Sequence, residues 1–92
     1  VSLLDKIHVL NTQIAAVNDD IEQARAELGM LQHLADDAAR DAAVSEHYDD
    51  RADAKMTEAD VIRCEKRIVG LEREMARIVL RRDRMVNKLA AQ

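Results

Sequence analysis

Cys64 is the only cysteine of the 92-residue chain, and Arg63 and Lys66 flank it. A basic neighbourhood favours a reactive thiolate. No histidine lies near it in sequence to act as its base, and the residue falls on an apolar seam, where cysteine behaves as a small hydrophobe. His33 and Asp37 stand four apart and so share a helix face, with Asp36 and Asp41 close by. Two ligands on one face can begin a metal site, but the rest of a coordination sphere is missing. A solvated His–Asp pair is expected instead, with no metal and no cofactor. Asp49, Asp53 and Asp60 occupy the first, fifth and twelfth places of a calcium loop. Arg51 and Ala54 then stand where an oxygen ligand and a glycine are required, so that motif fails on mechanism.

The basic residues Arg63, Lys66, Arg67, Arg73, Arg77, Arg81, Arg82, Arg84 and Lys88 could contact phosphates. They are interleaved with Glu65, Glu72, Glu74 and Asp83, and the chain has no aromatic side chain among them for base stacking. Binding to nucleic acid is not expected. Tyr48, the lone aromatic residue, lies among Glu46, Asp49, Asp50 and Asp53. Tyr48, Asp49, Asp50 and Asp53 are the candidate residues for anchoring a protein partner. No nucleophile–base pair, glycine-rich phosphate loop or complete ligand set emerges, so the chain is not expected to be an enzyme.

The elements that carry these residues are written in the heptads. Leu3, Ile7, Leu10, Ile14, Val17, Ile21, Ala24, Leu28, Leu31, Ala35, Ala38 and Ala42 alternate spacings of four and three without a miss. Such a seam predicts an amphipathic coiled-coil helix over about 2–44. A second seam, Val61, Cys64, Ile68, Leu71, Met75, Ile78, Arg82, Met85 and Leu89, predicts another over about 57–91, broken only by Arg82. Thr57 with Glu58 and Asp60 reads as its N-cap and acidic first turn.

The two seams differ in phase by five residues, which neither a stutter nor a stammer restores. One straight helix would lose its seam midway, whereas a hairpin needs no shared phase. The expected fold is therefore all-α: a single coiled-coil domain over 1–92, an antiparallel helical hairpin with its turn within 45–56. The alternative is one continuous helix in a coiled-coil oligomer, and the absence of Gly and Pro between 30 and 69 argues in its favour. In the hairpin, one register pairs residues whose numbers sum to 92, such as Leu28 with Cys64. Another sums to 99 and moves the turn to Asp49-Asp50. Charge also suits side-by-side helices, since residues 1–56 carry a net −7 and 57–92 a net +3.

Helix two has a further apolar stripe away from its seam: Ile62, Val69, Ala76, Val79, Val86 and Ala90. A solitary hairpin would leave it in water. It is the candidate self-association face, most simply a homodimer forming a four-helix bundle.

Cys64-Glu65-Lys66-Arg67-Ile68, followed by Leu71-Glu72, resembles the Cys-Glu-x-Arg-Ile run in the second helix of some Gre-type transcription factors. Those factors insert an antiparallel coiled-coil hairpin with an acidic tip into RNA polymerase. The resemblance covers fewer than ten residues and extends to neither the tip chemistry nor the second domain of that family. By analogy it supplies an alternative function, a transcription or enzyme regulator acting through an acidic tip. The first expectation is a non-enzymatic structural or adaptor protein that binds itself and a protein partner. No membrane span or signal peptide is read from the sequence, and with one cysteine the cytoplasm is the expected location.

Overall fold

The computed structural model describes residues 1–92 and contains two helices and no strand, α1 (Leu3–Val44) and α2 (Tyr48–Ala90). They form an all-α helical hairpin. Helix α1 starts at a reciprocal cap. The Asp5 N–H donates to Ser2 Oγ (3.1 Å) and the Ser2 N–H donates to Asp5 Oδ2 (3.3 Å). This is a capping box with Asp in place of the usual Glu, and it satisfies two amide groups that the first turn leaves without partners.

The connection is only Ser45-Glu46-His47. It needs no glycine, because no residue of the chain takes a positive φ. The Ser45 N–H closes the last turn of α1 on the Asp41 carbonyl (3.0 Å), and Ser45 Oγ accepts the His47 N–H (3.1 Å). That hydroxyl contact is an ST turn, a local substitute for the missing Gly or Pro. The connection thus falls at the start of the region 45–56 in which the turn is expected, and α2 begins at Tyr48 rather than near 57. Thr57 is not a cap. Inside the helix its hydroxyl donates back to the carbonyls of Asp53 (3.0 Å) and Ala54 (3.1 Å), as threonine does when it cannot bond outward.

A connection centred on Glu46 favours the register in which opposed numbers sum to 92. Three contacts between the helices agree: Ala24 with Cys64, Asn11 with Arg82, and Glu27 with Arg67. Each lies closer to that sum than to 99.

The chain divides into two compact units. In the unit of Val1–Glu22 and Val69–Gln92, the buried residues are Ile7, Leu10, Val17 and Ile21, all on the first seam. Leu71, Met75, Ile78 and Met85 of the second seam are half-buried. Arg82 is half-buried at its seam position, and its guanidinium reaches Asn11 Oδ1 and Asp83 Oδ1 at 2.8 Å each. A long stem along the seam with the charge carried outward explains why the heptad tolerates arginine there.

In the unit Gln23–Ile68, Ala24, Cys64 and Ile68 are buried. Towards the connection the seam turns small: Ala35, Ala38 and Ala42 on α1, and Asp50, Ala54 and Thr57 on α2, all half-buried. Those last three continue the second seam upstream at spacings of four and three. They were hidden in the sequence because none is a large hydrophobe.

Candidate interaction surfaces

The residues with chemical potential are dispersed. Cys64 is buried and its thiol donates to the Ala24 carbonyl at 3.4 Å. It is a packed seam residue with its one hydrogen-bonding group occupied. His33 Nε2 lies 3.6 Å from Asp37 Oδ2 on an exposed face of α1, and Asp37 also pairs with Arg40. No group of three or more His, Cys, Asp and Glu gathers there or elsewhere with metal-binding geometry.

The basic residues of α2 divide into two sets. Arg63 pairs with Asp60, Arg67 with Glu27 (3.5 Å, the cross-helix pair that the register allows), and Arg82 with Asp83. These are exposed or half-exposed pairs, worth tenths of a kcal/mol each. Arg51, Lys55, Lys66, Arg73, Arg77, Arg81, Arg84 and Lys88 make no ion pair and face solvent.

Tyr48 is the first residue of α2 and is 77 % exposed. Asp49 and Asp50 follow in the same first turn, where carboxylates are favoured by the helix dipole. Asp49 and Asp53 are exposed, whereas Asp50 is half-buried on the seam. The candidate tip is therefore the start of a helix and not a loop. Its acidic residues have a structural use before any partner is invoked.

Ile62 (45 % exposed), Val69 (46 %) and Val86 (41 %) lie open on α2, with Ala76 and Ala90 also exposed and Val79 half-buried. Leu80, which the sequence stripe omits, is exposed as well. No helix is long and apolar enough to cross a membrane. Ile62 and Val69, seven residues apart on α2, are exposed branched aliphatics that core formation leaves unexplained. No family model, curated protein or solved structure matches this chain.

Proposed function

We propose that the chain is a non-enzymatic structural or adaptor module, a helical hairpin that dimerises through the outer face of α2 and presents its remaining surface to a protein partner. The observation that supports it is the solvent-exposed row Ile62, Val69, Ala76 and Val86 on a helix whose seam is already satisfied by α1. Apolar area of this kind gains roughly 25 cal/mol per Å² when withdrawn from water. A second hairpin laid on it would complete a four-helix bundle. A reducing location such as the cytoplasm fits this reading, since Cys64 is a free thiol. Val69→Lys places a charge at the centre of the row without touching the seam. The substituted chain should remain helical and elute as a monomer from a sizing column, while the unsubstituted chain elutes as a dimer. Equal elution of the two would remove the stripe from the account.

A second reading rests on Tyr48, the lone aromatic, exposed at the head of α2 beside Asp49 and Asp53. In it the acidic end enters a channel or groove of an enzyme or polymerase and regulates it. Replacing Asp49, Asp50 and Asp53 by Ala separates the two readings. Loss of partner binding with dimerisation intact favours the regulator, and retained binding removes it.

A further inference from the structure

Arg73, Arg77, Arg81, Arg84 and Lys88 follow one another along α2 at spacings of four, four, three and four. At 3.6 residues per turn those steps keep all of them within about 80° of one helix face, over a length of roughly 22 Å. Each is exposed, and none has an ion-pair partner within the chain. The acidic residues interleaved with them in sequence stand elsewhere on the helix. Glu72 and Asp83 fall on the other flank, and the Asp83 carboxylate accepts from Arg82. Only Glu74 stands at the edge of the row, and it too is unpaired. Like charges one turn apart weaken a helix, so any anion that meets this row stabilises α2.

The row borders a groove within the same unit. Val9, Leu10 and Met85 supply its apolar lining and Lys6, Gln13 and Arg81 its polar one, around a volume of about 330 Å³. Leu10 is buried and Met85 half-buried, while Val9, at 57 % exposed, leaves apolar surface open beside the cations. No acidic side chain lines the groove, and Lys6 of α1 and Arg81 of α2 bring positive charge to it from both helices.

A simple anion would satisfy the row alone, and an apolar side chain the groove alone. An amphipathic helix satisfies both. Its aliphatic residues enter a groove between helices, and Asp or Glu one turn apart match cations one turn apart. All of the row but Lys88 is arginine, whose planar fork pairs with carboxylates in bidentate fashion. This unit has no aromatic residue on which bases could stack, which favours a polypeptide over a nucleic acid.

We propose that this flank of the unit Val1–Glu22 and Val69–Gln92 docks an acidic amphipathic helix of a protein partner. An aliphatic side chain of the partner enters the groove at Val9, Leu10 and Met85, and its carboxylates meet Lys6, Arg77 and Arg81. The proposal rests on the adaptor reading above and gives it a surface and a partner chemistry.

The test titrates the full chain into a labelled synthetic peptide of about 20 residues, with Leu at alternating spacings of three and four and Glu on the flanking positions. A scrambled peptide of the same composition and a DNA duplex are run beside it. The ordered peptide should bind, the scrambled one about tenfold more weakly, and the affinity should fall as salt is raised. Arg77→Gln with Arg81→Gln should weaken binding about tenfold. Val9→Asp should weaken it as well, although every cation stays in place. All three positions are exposed, so helicity by circular dichroism should be unchanged. Equal binding of the ordered and scrambled peptides would overturn the proposal, leaving only unspecific charge attraction. Absence of binding by the ordered peptide, tighter binding of the duplex, or unchanged affinity in both variants would overturn it too. Binding is read independently of mass. A chain that sediments as a monomer and still binds the ordered peptide upholds the docking site without self-association, whereas a dimer that does not bind it removes the docking site alone.

Discussion

The two ends of the hairpin are built to different standards. The unit holding both chain ends packs Ile7, Leu10, Val17 and Ile21 on α1 opposite Leu71, Met75 and Ile78 on α2. The unit holding the connection tapers to Ala35, Ala38 and Ala42 opposite Asp50, Ala54 and Thr57. Alanine is the best helix former, so the backbone there stays helical on propensity. It buries little area, so the two helices gain little from being together. Large seam residues hold the helices to each other, and small ones hold each helix to itself. A two-helix hairpin therefore has a firm end and a loose end, and local opening should begin at the connection.

Substitutions can break this contrast. The largest effect belongs to Leu10→Ala. It empties a buried position of the large-residue seam and should cost roughly 2–5 kcal/mol in denaturant unfolding. A loss under 1 kcal/mol would mean that this end is no firmer than the other. Next comes Ala24→Leu. Ala24 is 0 % exposed, so the added bulk should overpack the seam and cost about 1–3 kcal/mol. The same change at half-buried Ala38 should be neutral or stabilising, because it adds apolar area where the seam is thin. Equal penalties at both positions would erase the proposed taper. Smallest is Gly29→Ala. A Cβ there meets nothing within 4 Å and the backbone is helical, so thermal unfolding should show a gain of about 1 kcal/mol.

The large-residue seam was legible from sequence because leucine, isoleucine and valine announce a heptad. Its continuation through Asp50, Ala54 and Thr57 was not, since a seam position filled by a small or polar side chain carries no hydrophobic signal. The exact place of the connection within 45–56 was not legible for a related reason. Helix ends are read from Gly and Pro, and here Ser45 closes the turn with its hydroxyl instead. Of the candidate surfaces, the row Ile62, Val69 and Ala76, with Val79 and Val86 beside it, stood out by its spacings of seven. Tyr48 and Lys55 belong to the same row. A start of α2 near 57 leaves both outside the helix, whereas the observed start at Tyr48 includes them.

The account stands on self-association through α2, and an absolute mass decides it. Sedimentation equilibrium of the unsubstituted chain at tens of micromolar should return twice the 10.4 kDa of one chain. The mass should fall to that of a single chain on Val69→Lys. A mass of one chain before any substitution would contradict the account at its centre.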